Sequence, residues 1–141
     1  MQEGRYTLGT VVHAPFADAR EATIEALKAE GFGIVMTIDM AGTLRAKVGA
    51  EIGAYEILGA CNPAFALQAV TADPSIGALL PCNVVVRSVG DDTVVEAMDP
   101  RAVLGLVGNP AVDGLGTEVR ERLVRVITSL ANRFPTVEIP A

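Results

Sequence analysis

The chain has 141 residues, of which 50% are hydrophobic and only 4% aromatic, and its net charge is -6. This length predicts a single domain, residues 1–141, with a core of aliphatic side chains. The acidic balance argues against a nucleic-acid partner or an anionic membrane surface, since both need clustered Lys and Arg. The sequence shows neither a run of the roughly 18 apolar residues that span a membrane nor a signal-peptide pattern, which predicts a cytoplasmic protein.

The first half of the chain alternates between strand and helix patterns. A strand is predicted over Arg5–Val12, and the segment FADAREATIEALKAE after Pro15 has one apolar and one charged helical face. Gly31 ends that helix, and Phe32–Met40 has strand composition. The residues that follow, Ala41–Gly49, fit either a short helix or an ordered loop. The pattern therefore predicts two strands joined by an amphipathic helix.

The stretch from Tyr55 to Val86 is the most informative part of the sequence. YEILGAC is an apolar strand, and Asn62-Pro63 after it matches a helix start, with asparagine as N-cap and proline at the first helical position. Asp73-Pro74 repeats this arrangement and opens a shorter helical turn. The strand CNVVVRSV begins at Cys82. Both cysteines are thus predicted at the ends of buried strands, close to helix termini.

The last third of the chain begins with a hairpin signal, Gly90-Asp91-Asp92, between two valine-rich runs. The segment RAVLGLVG after Pro100 is unusually apolar for a loop, so it either covers a pocket or forms a subunit contact. A long amphipathic helix is predicted over Gly116–Arg133, followed by a short extended tail, FPTVEIPA.

The order of elements, β-α-β-α-β-α-β-β-α, favours an α+β fold. The simplest arrangement is a two-layer sandwich, in which a mostly antiparallel sheet carries both long helices on one face. The alternative is a doubly wound parallel sheet. It is less compatible with the hairpin and with the absence of a helix between the last two strands.

Cys61 and Cys82 are the first candidates for a functional site, each followed by an asparagine, Asn62 and Asn83. A thiol at a helix N-terminus is favoured as the thiolate, and two thiols on neighbouring strands could form a redox pair or a soft-metal site. The alternative is that both are buried, inert small hydrophobes. Asn62 is best explained as an N-cap, whereas Asn83 either bonds a nearby loop or lines a cavity.

His13 and Glu56 complete the set of candidate ligand or redox residues. A lone histidine at the end of a strand has no assignable nucleophile beside it, so no catalytic residues are predicted and an enzymatic activity stays open. Glu56 lies in an apolar run and needs a cationic partner, for which Arg45 or Lys47 is proposed. One histidine and two cysteines are too few for a structural zinc site within one chain, and no cofactor is predicted.

Several segments together resemble a known family. YEILGACNPAFA, DPSIGALLPCNVVV, the MDP after the hairpin and the upstream GFGIVMTID are similar to the bacterial and archaeal family called domain of unknown function 302. The resemblance spans nearly the whole chain. It implies a fold similar to the TATA-binding-protein-like α+β class and a homodimer, but no activity. Because a fold does not carry a function, it does not imply DNA binding.

Three hypotheses about function follow. The first is a small cytosolic homodimer that binds a small apolar or mixed ligand without catalysis, favoured by the apolar composition, the apolar RAVLGLVG segment and the absence of a catalytic constellation. The second is a thiol-based redox or soft-metal protein that uses Cys61 and Cys82. The third is a stress or assembly protein whose function is the dimer surface itself, with Leu104 and Leu106 as candidate interface residues.

Overall fold

The computed structural model describes residues 1–138, and within them one antiparallel sheet organises the chain. The sheet order is β1-β2-β6-β5-β4-β3, and β7 pairs with β2 beside β1. The strands are β1 Gln2–Glu3, β2 Thr7–Val12, β3 Gly33–Asp39, β4 Tyr55–Cys61, β5 Cys82–Val89, β6 Asp92–Met98 and β7 Thr136–Val137.

Five α-helices and two 3-10 segments connect these strands within residues 1–138. The helices are α1 Phe16–Ala29, α2 Met40–Val48, α3 Pro63–Ala72, α4 Pro100–Leu104 and α5 Pro110–Arg133, and the 3-10 segments are Pro74–Leu79 and Gly105–Val107. Four of these seven elements begin with proline directly after an Asn or Asp whose side chain accepts a backbone N–H, namely α3, α4, α5 and the first 3-10 segment. The repeated Asx-Pro pattern therefore fixes where they begin.

The two long helices, α1 and α5, pack side by side on one face of the sheet and form the main core with it. Leu27 of α1 and Leu123 and Ile127 of α5 are fully buried against Leu58 and Val84 of the sheet. The α+β sandwich is confirmed. The parallel alternative is wrong, since each strand pair in the described residues is antiparallel.

The structure decides one alternative that the sequence left open, moves the start of one helix and adds two short strands. Residues 40–48 form a helix, which ends at Gly49 in the left-handed conformation with φ 67°. Helix α5 begins at Pro110, six residues before the predicted start at Gly116, because Asn109 Oδ1 accepts from Ala111 N at 3.0 Å. The two-residue strands β1 and β7 were not predicted. Part of the predicted extended tail forms β7, and residues 139–141 lie outside the described residues.

The second face of the sheet carries an apolar row that no long helix covers. Ile38, Ile57 and Val85 are cross-strand neighbours on β3, β4 and β5, and all three are only half-buried. Met36 is 41% exposed on the same side of β3. We call Met36, Ile38, Ile57 and Val85 the open sheet face. None of the helices within residues 1–138 is both long and apolar enough to cross a membrane.

Candidate functional site

An apolar pocket lies where one end of the sheet meets helices α3, α4 and α5. Its volume is about 290 Å³. Asn62 and the two cysteines are the only lining residues within the described chain that carry a polar or titratable side-chain group. The lining residues are Phe32, Val35, Ala60, Cys61, Asn62, Phe65, Ala66, Ala69, Leu80, Pro81, Cys82, Leu104, Leu115 and Val119.

Strand pairing brings both cysteines to this pocket. Strands β4 and β5 are antiparallel neighbours, with Ala60 directly opposite Cys82, so Cys61 lies one residue beyond that pair. Both cysteines line the pocket. Both are free thiols, and the structure holds no disulfide between them.

The first turn of α3 forms the adjacent wall of the pocket. Asn62 Oδ1 accepts a hydrogen bond from Phe65 N at 3.2 Å, which confirms the N-cap interpretation. This cap fixes the direction in which α3 leaves β4. Ala66 and Ala69, on the following turns, face the pocket with small side chains that leave its volume open.

The two thiols differ in their surroundings. Cys82 is buried, with 7% of its surface exposed, whereas Cys61 is half-buried. Burial, and to a smaller extent the nearby Cys61, raise the pKa of the Cys82 thiol from 9.0 to about 11. Cys82 is therefore a protonated thiol at neutral pH.

Arg122 of α5 packs behind the pocket wall. Its guanidinium carbon lies 5.0 Å from the ring centroid of Phe65, and Nη1 donates to Glu30 O at 2.9 Å. The Arg122 Nε atom is buried and has no hydrogen-bond partner within the described residues. A cationic group with one free donor therefore lies directly behind a pocket-lining ring.

The other predicted site residues lie elsewhere. Glu56 pairs with Arg20 of α1, with Arg20 Nε 2.7 Å from Glu56 Oε2, so the proposed partners Arg45 and Lys47 are wrong. Arg45 instead pairs with Glu51. The side chain of Asn83 is exposed, and the residue pairs across the sheet with Gly59 outside the pocket lining.

His13 lies at the opposite end of β5 from Cys82. Its Nδ1 is 2.7 Å from Asp92 Oδ1 at the edge of a shallow depression that also includes Ser88 and Phe16. The histidine side chain is 64% exposed, so water screens this pair. His13 and the thiols therefore do not share a site. Within residues 1–138, no group of three or more His, Cys, Asp or Glu side chains is placed to hold a metal ion.

Sequence reasoning missed several wall residues. Leu115 and Val119 line the pocket from α5, and Leu104 lines it from α4. The apolar segment after Pro100 was predicted to cover a pocket or to form a subunit contact, and Leu104 does cover the pocket. Leu106 is instead 79% exposed. The Asn109-Pro110 helix start was the signal that would have placed Leu115 on α5.

Residues 8–130 match the family described as "Domain of unknown function DUF302". The chain belongs to the DUF302 family. The matched range contains strands β3 to β6, all of β2 except Thr7, and the whole pocket lining, so the pocket lies within the family domain. The resemblance seen in the cysteine segments is thereby confirmed.

A solved structure of a DUF302 relative has the same fold. It is described as "Crystal structure of uncharacterized conserved protein DUF302 from Bacillus stearothermophilus". The TM-score is 0.83 at 24% sequence identity, and the match covers 90% of this chain and 99% of the relative. A comparison with proteins of curated function finds no match. The fold of this DUF302 chain is thus shared with the relative, whose own description assigns no activity.

Proposed function

We propose that this DUF302 protein binds a small apolar ligand in the pocket between α3, α5 and the β4–β5 end of the sheet. The observation that carries this proposal is the lining, in which eleven of the fourteen residues have hydrocarbon side chains (all but Cys61, Asn62 and Cys82). The volume of about 290 Å³ lies just below the roughly 300–1,000 Å³ typical of ligand pockets, which suits a small ligand. Few polar partners are present, so affinity comes from apolar area removed from water.

A pocket-filling variant tests this proposal. Ala66 is half-buried and lines the pocket, so Ala66→Phe places a ring in the space that the ligand needs. With the uncharged fluorophore N-phenylnaphthylamine as probe, we expect saturable one-to-one binding to the unmodified protein. Ala66→Phe is expected to weaken this binding at least about tenfold, equal to about 1.4 kcal/mol.

Ala64→Phe is the matched control, because Ala64 lies on the same helix but is exposed and outside the pocket lining. It is expected to bind the probe as tightly as the unmodified protein does. Thermal melting of each variant shows whether it folds. Absence of saturable probe binding, or equal affinity in the folded Ala66→Phe variant, would contradict the proposal.

We also propose that the protein forms a homodimer through the open sheet face. The support is the half-buried apolar row on a side of the sheet without a long helix, and such patches commonly mark interfaces. Light scattering is expected to give about twice the 14.7 kDa mass of the chain. Ile57→Lys, which puts a charge in the middle of that row, is expected to give a folded monomer.

Leu106→Asp tests the alternative interface around residues 101–108. Leu106 is exposed, so Leu106→Asp should fold normally, and if the open sheet face is the interface we expect this variant to stay dimeric. Leu104 is unsuited to this test, since it is buried and its replacement by aspartate would disturb folding instead. A monomeric unmodified protein, or dissociation by Leu106→Asp rather than by Ile57→Lys, would overturn the assignment of the interface.

A further inference from the structure

We propose that the ligand of the apolar pocket is an uncharged aromatic compound of two fused rings, which stacks on the ring of Phe65. This inference rests on the proposed function, because it names the class of ligand for the same pocket. It goes beyond that function by giving one lining side chain the task of distinguishing aromatic from saturated molecules.

The volume of the pocket sets the size of the ligand. A cavity of about 150 Å³ lined by aliphatic and phenylalanine side chains is large enough to hold one benzene molecule. The pocket measures about 290 Å³, which is roughly twice that volume. It therefore has room for two fused rings of the size of naphthalene or indole.

Aromatic side chains are concentrated at the pocket. The chain has four phenylalanines, two tyrosines and no tryptophan, and Phe32 and Phe65 both line the pocket. Phe32 is 2% exposed and belongs to the main core, whereas Phe65, in the first turn of α3, is only half-buried. Aromatic rings favour offset-stacked or edge-to-face contacts with one another. Phe65 is therefore the ring that a bound aromatic molecule can contact.

Arg122 makes the ring of Phe65 a better partner for an electron-rich ring. Its guanidinium carbon lies 5.0 Å from the Phe65 ring centroid. Two polar contacts hold the guanidinium there, since Nη1 donates to Glu30 O at 2.9 Å and Nη2 lies 3.7 Å from Glu118 Oε1. A cation over one face of a ring draws π-electron density towards itself, which leaves the opposite face less negative. A ligand ring meets Phe65 on the sides that Arg122 does not cover.

The pocket lining favours a ligand without a formal charge. Within residues 1–138, the lining contains no Asp, Glu, Lys, Arg or His. Asn62 Oδ1 already accepts a hydrogen bond from Phe65 N as the cap of α3. A carboxylate or an ammonium group that entered this lining would lose its hydration without gaining an ion-pair partner. Ionised compounds should therefore bind weakly.

The experiment compares naphthylmethanol with its fully hydrogenated analogue by isothermal titration calorimetry. The two alcohols share one carbon skeleton and one hydroxyl group, so burial of apolar area alone would make the hydrogenated compound bind at least as tightly. We expect naphthylmethanol to bind about threefold to tenfold more tightly, the range that aromatic pairing adds to burial. Equal or tighter binding of the hydrogenated alcohol would overturn the proposal.

Naphthoate tests the requirement for an uncharged ligand. It keeps the two fused rings and replaces the hydroxymethyl group by a carboxylate, which is ionised at neutral pH. We expect it to bind at least about tenfold more weakly than naphthylmethanol, because the lining offers the carboxylate no cationic partner. Equal affinity of the two compounds would contradict this part of the proposal.

Phe65→Leu removes the ring and keeps an apolar side chain, so it is expected to bind both alcohols equally, within about twofold. Phe65→Met is a second variant in case leucine is poorly tolerated, and thermal melting shows which variants fold. Phe134→Leu is the matched control. The guanidinium carbon of Arg133 lies 5.6 Å from the Phe134 ring centroid, but Phe134 lies outside the pocket lining. It should keep the preference for naphthylmethanol, and a preference kept by a folded Phe65 variant would overturn the role of this ring.

The pocket variants separate this inference from the proposed function. Ala66→Phe should weaken the binding of both alcohols and Ala64→Phe the binding of neither, as expected for ligands held in the pocket. If both alcohols bind there with equal affinity, the pocket takes an apolar ligand and the aromatic assignment fails alone. If neither alcohol nor N-phenylnaphthylamine binds, both proposals fail.

Discussion

Leu123→Ala is expected to lower the free energy of unfolding by about 3 kcal/mol, within the roughly 2–5 kcal/mol seen for such changes. Leu123 is fully buried at the centre of the face that α5 packs against the sheet. The truncation removes apolar contacts and leaves a cavity, because helix and sheet relax only partly around it. Urea denaturation followed by circular dichroism measures the change.

Leu67→Ala is the matched control for this prediction. Leu67 lies on α3 with 67% of its surface exposed, and its truncation should change the stability by less than about 0.5 kcal/mol. Leu123→Ala would contradict the packing described here if it unfolded at the same urea concentration as Leu67→Ala. If the unfolding free energy falls with urea concentration at the same slope in both variants, their denatured states expose similar surface areas and the two values can be compared.

The stability of the protein is expected to fall above pH 9 because of Cys82. Its pKa is raised by burial from 9.0 to about 11, so the native state keeps the thiol protonated where the unfolded chain loses the proton. Below pH 9 the thiol is protonated in both the native and the unfolded state, so it adds no pH dependence to the stability. As the pH rises from 9 towards 11, ionisation of the unfolded chain lowers the free energy of unfolding by up to about 2 kcal/mol.

This effect is measured as a difference between variants, since lysines and tyrosines also titrate in this range. Urea denaturation at about pH 7.5 and about pH 10.5 should show a larger loss of stability in the unmodified protein than in Cys82→Ala. Cys61→Ala is the control and should keep most of the loss, because burial is the larger cause of the shift. If the unmodified protein and Cys82→Ala lost the same stability between these two pH values, the pKa of the thiol would be the same in the native and the unfolded state, and the prediction would be wrong.

The sequence predicted the parts of the site that depend on local chemistry. Asn62-Pro63 marked the start of α3 because both residues satisfy the first turn of a helix locally. The β-branched run after Cys82 marked β5 in the same way. These two boundaries placed each cysteine at a strand end, whereas the pairing of β4 with β5 was left open by the sequence and is given by the structure.

Contacts between residues far apart in the sequence determined two features that the sequence alone did not predict, the partner of Glu56 and the first turns of α5. Glu56 lies on the sheet face that carries α1, so Arg20 reaches it, although Arg45 and Lys47 are closer along the chain. The first turns of α5 contain two glycines, Gly114 and Gly116, which weaken the helical pattern. Gly116 is buried, and a Cβ atom added there would lie 3.7 Å from Leu104 Cβ, so tertiary packing holds this part of the helix.

The borders of the sheet have a consequence for how copies of the protein can meet. At one border, β3 pairs with β4 through an irregular register between Ile34 and Met36, which interrupts the row of backbone groups that an incoming strand would need. At the other border, β2 is already occupied by β1 and β7, each only two residues long. Neither border is a good template for strand addition, so the fold disfavours continuous sheets and fibrils built from successive molecules.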